Sequence, residues 1–114
     1  MELRNTHLRY LLTIYELSQT MLDVGAVEVA RTMGVSKPSV TRMLGILMEK
    51  GLLVRERYGK IYLTDQGVML AKKYDACVEN MKARLPALEL DLSEEQLSQT
   101  AQLLAVSLSG ELLT

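Results

Sequence analysis

The stretch Gly34-Val35-Ser36-Lys37-Pro38-Ser39-Val40-Thr41-Arg42 decides the fold. A glycine can end one helix in the left-handed conformation, and the hydroxyl of Ser36 can then accept a backbone N–H at the start of the next helix. Pro38 falls in the first turn of that second helix, where a proline removes no internal hydrogen bond. These residues predict two helices joined by a sharp turn, the second running to Lys50 and stopped by Gly51.

Hydrophobic periodicity on either side predicts further helices and one β-hairpin. A first helix is expected over residues 7–21, and a short second helix precedes the turn. Two strand-like runs, residues 52–57 and 60–64, indicate a hairpin with a basic tip. A fourth helix is expected over residues 65–84, and Ser93-Glu94-Glu95-Gln96 matches the capping box that opens a fifth.

Together these elements predict a mainly α fold, a winged helix-turn-helix. A three-helix core carries the two-stranded β-hairpin, and C-terminal dimerisation helices follow it. In this prediction residues 1–64 form the DNA-binding domain and residues 65–114 form a helical dimerisation region. The length of 114 residues allows one modest domain with such an extension.

The composition excludes several classes of protein. A single cysteine cannot form an internal disulfide or a zinc ribbon, and it fits a reducing, cytoplasmic compartment. No apolar run reaches the roughly 18 residues of a membrane span, and residues 1–4 do not open a signal peptide. The sequence has one histidine, no Gly-rich phosphate loop and no nucleophile beside a base, so it does not indicate an enzyme.

Charge is divided along the chain, although the total is only −1. Residues 27–73 hold nine Lys and Arg against four Asp and Glu, a net charge of +5. Residues 74–114 hold two against seven, a net charge of −5. The basic part coincides with the predicted helix-turn-helix and hairpin, which favours double-stranded DNA as the partner.

The candidate DNA contacts follow from how a helix enters the major groove, where its N-terminal turns meet base edges. Hydroxyls can bind phosphates or bases, an arginine can bind guanine, and the hairpin cations can reach flanking phosphates. Tyr58 either lies on the sugar-phosphate backbone or shields the hairpin, and any one cation could simply be solvated. The predicted DNA-binding residues are Ser36, Lys37, Pro38, Ser39, Thr41, Arg42, Arg55, Arg57, Tyr58 and Lys60.

Several segments resemble one family of regulators. They are Tyr10-Leu11-Leu12-Thr13-Ile14-Tyr15-Glu16-Leu17, Val29-Ala30-Arg31, Ser36-Lys37-Pro38-Ser39-Val40-Thr41, Met48-Glu49-Lys50-Gly51-Leu52 and Leu63-Thr64-Asp65-Gln66-Gly67. The chain resembles the N-terminal domain of the diphtheria-toxin-repressor-type (iron-dependent) metalloregulators, which include the manganese transport regulators. This resemblance implies a homodimeric repressor whose recognition helices enter successive major grooves once Mn(II) or Fe(II) has fixed the dimer. A MarR-like regulator is the alternative, because its recognition helix and Leu-Thr-x-x-Gly signature are similar.

The metal ligands that this resemblance implies are missing from the sequence. Their positions fall on Arg9, on Val78, and in or next to Gln102-Leu103-Leu104-Ala105-Val106. Divalent metals of this kind need imidazole, thiolate or carboxylate donors, so we predict no metal at these positions. A displaced site made of His7, Cys77 and Glu79 is the alternative, and it would make the protein a metal-gated repressor.

The fifth helix is more apolar than one packing face requires. We predict that it forms a homodimer through Leu97, Leu104, Leu108 and Leu112, with Leu103, Val106 and Leu113 widening the stripe. Two alternatives remain open. The helix could be buried against its own domain, or the protein could be a winged-helix interaction module that presents this stripe to a different protein.

Overall fold

The computed structural model describes residues 5–57 and 59–112, with side chains at all of these except residues 5, 106 and 109–112. The elements of this part confirm a mainly helical winged helix-turn-helix. In chain order they are α1 (Asn5–Ser18), α2 (Ala26–Met33), α3 (Lys37–Glu49), β1 (Leu53–Arg55), β2 (Ile61–Leu63), α4 (Asp65–Arg84), a 3₁₀ helix (Leu85–Leu88) and α5 (Glu94–Leu112). The chain divides into two compact units, Met1–Ala71 and Lys72–Thr114.

The turn between α2 and α3 has the geometry that the sequence predicts. Gly34 adopts the left-handed conformation with φ 68° and ψ 35°. The N–H of Val35 donates to the carbonyl of Ala30 at 3.1 Å, which closes the end of α2. At the start of α3, the hydroxyl of Ser36 accepts the N–H of Ser39 at 3.3 Å. These caps fix where both helices end and begin.

Helix α1 is shorter than predicted. It ends at Ser18, so the prediction of a helix to residue 21 is wrong at that end. After Ser18 the backbone hydrogen bonds change from the α-helical to the 3₁₀ pattern. The N–H of Gln19 donates to the carbonyl of Glu16 and that of Thr20 to the carbonyl of Leu17, both at 3.1 Å and both across three residues.

One face of α3 anchors the core of the first unit. Val40, Leu44 and Leu47 are fully buried on this face. Burial of each large side chain contributes roughly 1.5–3 kcal/mol to folding, so α3 is held firmly with its opposite face outward. The buried residues packed in the same cluster are Tyr10, Leu11, Ile14, Val24, Ala26, Val29, Leu52, Leu53, Ile61 and Ala71.

The β-hairpin, here called the wing, consists of β1 and β2. The strands pair antiparallel, with Leu53 opposite Leu63 and Arg55 opposite Ile61. Each strand has three residues, fewer than predicted. The pairing stops because the chain turns, with Glu56 donating to the carbonyl of Lys60 at 2.7 Å.

The base of the wing is closed by one hydroxyl. Thr64 Oγ1 donates to the carbonyl of Gly51 at 2.7 Å and accepts the N–H of Gly67 at 3.1 Å. The second bond caps α4, whose bounds are those predicted. At Gly67 a β carbon would overlap the carbonyl oxygen of Leu52, so only glycine fits where α4 meets the start of the wing.

The second unit contains the other cap that the sequence predicts. The N–H of Gln96 donates to Ser93 Oγ at 3.1 Å, and the N–H of Ser93 donates to Gln96 Oε1 at 3.0 Å. This reciprocal pair is the capping box that opens α5. In the part of the chain that the structure describes, neither α5 nor any other helix is long and apolar enough to span a membrane.

Candidate nucleic-acid interface

The leading end of α3 presents polar and cationic side chains to solvent. Lys37, Pro38, Thr41 and Arg42 are exposed, and Pro38 and Arg42 lie on the side of α3 away from the buried face. No ion pair joins Lys37 or Arg42 to another described residue. Their charges are therefore available to a ligand.

The two serines of this helix start are partly used by the fold. Ser36 Oγ and Ser39 Oγ lie 2.8 Å apart, in addition to the capping bond between the same residues. Each hydroxyl has further hydrogen-bonding capacity, since a hydroxyl has one donor and two acceptor positions. Ser36 can therefore cap the helix while each of the two hydroxyls still accepts or donates one bond to a ligand.

The arginines of the wing differ in how far they are exposed to solvent. Alternate residues of a strand point to opposite faces, so Arg55 shares the inner face with Leu53 and Ile61, whereas Val54 is exposed. Arg55 is half-buried, and its Nε is buried without a hydrogen-bond partner among the described residues. Arg57 is exposed beyond the strand. The predicted contact at Tyr58 lies outside the described residues.

Lys60 is held by contacts within the protein. Its Nζ lies 3.0 Å from Asp23 Oδ1 and 4.9 Å from the centre of the Tyr62 ring. The interaction with Tyr62, followed by that with Asp23, raises the pKa of Lys60 above its ordinary value. The next residue, Ile61, donates its N–H to the carbonyl of Val24 at 2.8 Å. The wing is thus joined to the loop before α2 by two adjacent contacts.

A surface groove of about 440 Å³ lies between the wing and the N-terminal ends of α2 and α3. Three cations predicted to bind DNA line it, together with three carboxylates, so its charges are balanced. These residues are Lys37, Arg55, Lys60, Asp23, Glu28 and Glu56. Nothing in the sequence pattern singles out the carboxylates, because they come from the loop before α2, the first turn of α2 and the wing.

The positions that correspond to the family's metal ligands do not fit a metal. Arg9 is exposed, Val78 is fully buried, and the described side chains of residues 102–105 are one amide and three aliphatic groups. None is an anionic or imidazole donor of the kind that Mn(II) or Fe(II) needs.

The residues of the alternative metal site do not form one either. Among the described residues, no three His, Cys, Asp or Glu side chains come together as a metal-binding group. His7 is buried, and Glu79 forms an ion pair with Lys82 at 3.6 Å. Burial raises the pKa of the Cys77 thiol, which disfavours the thiolate that binds metals.

A helix-turn-helix with an exposed cationic leading end beside a β-hairpin defines the class of winged-helix DNA-binding domains. The chain belongs to the iron-dependent repressor family, because residues 2–61 match the family described as "Iron dependent repressor, N-terminal DNA binding domain". This match confirms the resemblance noted from the sequence.

Solved structures of several regulators share the fold. The manganese regulator SloR matches with a TM-score of 0.73 and 25% identity over 92% of this chain and 47% of its own. The apo form of the manganese-activated repressor ScaR matches with a TM-score of 0.63 and 26% identity over 87% of this chain and 47% of its own. MepR, a transcription regulator of the Staphylococcus aureus multidrug efflux pump MepA, matches with a TM-score of 0.56 and 25% identity over 93% and 78%. The chain spans about half the length of the SloR and ScaR chains.

Proposed function

We propose that this protein is a sequence-specific, DNA-binding transcriptional repressor that acts as a homodimer. The main observation in support is the orientation of α3. One face of this helix, formed by Val40, Leu44 and Leu47, is fully buried, while Lys37 and Arg42 at its N-terminal end are exposed. A helix held in this way can enter a major groove with its first turns against the base edges.

The exposed residues divide into base readers and phosphate binders. Arg42 is the residue suited to a bidentate contact with guanine, and Pro38 can meet a thymine methyl group. Lys37 and Arg57 are exposed cations suited to phosphates. Arg55 and Lys60 line the groove beside the wing together with Lys37, and a phosphate there would meet the carboxylates as well.

Dimerisation is supported by the apolar surface of α5. Leu103, Leu104 and Leu108 are 49%, 36% and 44% exposed, whereas Ala101 and Ala105 are fully buried. The helix therefore keeps three leucines partly exposed, and burying them against a second copy would remove apolar surface from water. Leu97 is half-buried, and the side chain of Leu112 lies outside the described residues. A symmetric pair would read half-sites about 34 Å apart.

The proposed repressor does not use the metal site of its family. An arginine and aliphatic side chains occupy the corresponding positions, and they supply no donor for Mn(II) or Fe(II). Its DNA affinity should accordingly be the same with and without these metals.

The test is selection of bound duplexes from a random pool with the full chain, followed by salt titration of the selected duplex. We expect enrichment of a two-fold symmetric sequence and an affinity that falls steeply with salt, because bound cations release counterions. An absence of enrichment together with no salt dependence would refute the proposal. Binding of DNA by a monomer would refute the homodimer alone.

A further inference from the structure

We propose that Asp23 neutralises the charge of Lys60 through their ion pair and thereby limits the affinity of the wing for duplex DNA of any sequence. This inference rests on the proposed function. It makes Asp23, a residue that precedes the helix-turn-helix, a determinant of how strongly the protein binds DNA non-specifically.

The contacts of Lys60 carry the inference. Its Nζ lies 3.0 Å from Asp23 Oδ1 and also lies over the Tyr62 ring. The side chain of Lys60 is 30% exposed and that of Asp23 is 82% exposed. The cation therefore already has an anionic partner and an aromatic one, and a DNA phosphate would have to share or displace the carboxylate.

Arg57 provides the contrast within the same wing. It is exposed and has no ion pair with any other described residue. A phosphate that binds Arg57 meets a full positive charge, whereas one that binds Lys60 meets an ion pair whose net charge is zero. Binding of a phosphate by Arg57 should therefore release more counterions from DNA than binding of a phosphate by Lys60.

The size of the effect follows from counterion release. Each neutralised phosphate on duplex DNA changes the slope of log K against log salt by about 0.9. Replacing Asp23 by Asn keeps the shape of the side chain but removes the charge, so Lys60 should add one such contact. At about 0.15 M salt this corresponds to about fivefold tighter binding, for specific and non-specific duplexes alike, because phosphates carry no sequence information.

Asp23 could instead serve only to position the wing. In that case the asparagine variant would loosen the wing and weaken DNA binding. The backbone bond between Ile61 and Val24, at 2.8 Å, involves neither side chain of the ion pair. The wing should accordingly keep its place in the variant, and the two roles predict changes of opposite sign.

The experiment measures affinity for a fluorescent duplex of arbitrary sequence, by anisotropy with the full chain, between about 50 and 200 mM salt. The variants are Asp23→Asn, Lys60→Ala, the double variant and Arg57→Ala as the matched control. We expect Asp23→Asn to steepen the salt slope by about 0.9 and Arg57→Ala to reduce it by about 0.9. Lys60→Ala should reduce the slope far more in the Asp23→Asn background than in the original protein.

Three outcomes decide the matter. Weaker binding of Asp23→Asn would assign Asp23 to wing positioning and overturn the inference. Equal effects of Lys60→Ala in both backgrounds would also overturn it, since the ion pair would then not modulate Lys60. If the original protein shows no salt slope at all, the proposed function fails as well, whereas a steep slope that responds to Arg57→Ala leaves it standing.

Discussion

Gly67 packs directly against the backbone of Leu52, so a β carbon at residue 67 would overlap the Leu52 carbonyl oxygen. Because the obstacle is backbone and not a flexible side chain, Gly67→Ala should require α4 to shift and should lower the free energy of unfolding by about 3 kcal/mol. Urea denaturation followed by circular dichroism measures this loss.

Gly45→Ala is the matched control for that variant. Gly45 is an exposed residue inside α3, and a β carbon there would meet no heavy atom within 4 Å. Alanine should stabilise the helix by about 0.5–1 kcal/mol. Equal effects of the two substitutions would contradict the close approach of α4 to Leu52.

Ser36→Ala should destabilise the start of the recognition helix. The variant removes the acceptor for the N–H of Ser39 and the hydroxyl that lies 2.8 Å from Ser39 Oγ. A lost N-cap costs about 1 kcal/mol, which thermal or urea unfolding can detect. Ser36→Asp should restore most of this stability, because aspartate also caps helices, and a failure to do so would argue against the capping role.

Arg42→Ala should lower specificity at a single base pair of the selected sequence. Loss of a bidentate contact costs about 1–3 kcal/mol for the correct base and much less for the others. Competition assays with duplexes substituted one position at a time measure this pattern. A uniform loss over all sequences would instead place Arg42 on a phosphate.

Leu104→Glu and Leu108→Glu should dissociate the proposed dimer. Both leucines are partly exposed on α5, and a buried unpaired carboxylate at an interface is strongly unfavourable. Sedimentation equilibrium should show a monomer for each variant. Leu22→Glu is the control, because Leu22 is 92% exposed and lies outside α5, and dissociation by this control would point to a general effect of charge.

Mn(II) at saturating concentration should leave the melting temperature unchanged. A ligand that binds only the folded state raises its stability, by about 2.7 kcal/mol at a hundredfold excess over Kd. Differential scanning calorimetry with and without Mn(II) tests this. A clear upward shift would show a metal site elsewhere, for which His7 and Cys77 would be the first residues to replace.

Local signals made much of the fold predictable from sequence. The left-handed Gly34, the Ser36 cap and the capping box of Ser93 and Gln96 each depend on atoms within five residues. Such contacts form in the same way in most proteins, so residue type and spacing suffice.

The parts that could not be predicted depend on distant partners. The inward position of Arg55 follows from which face of β1 packs on the core, and the partner of Lys60 is in a different loop. On α5, the fully buried residues include Ala101 and Ala105, while the longer Leu103 and Leu104 remain exposed. A prediction from hydrophobicity places leucines in the core before alanines. It therefore does not identify a face where close packing favours the smaller side chain.

The three-residue strands of the wing are too short to hold a free hairpin together, since isolated two-stranded hairpins are marginal in water. Thr64 joins the base of this hairpin to Gly51, and Val24 holds the other end of the strands through Ile61. Neither of these two bonds involves Glu56, Arg57 or Gly59, the described residues of the tip. Extra residues inserted at the tip would therefore be tolerated by the fold, and the reach of the wing could be lengthened without redesigning the domain beneath it.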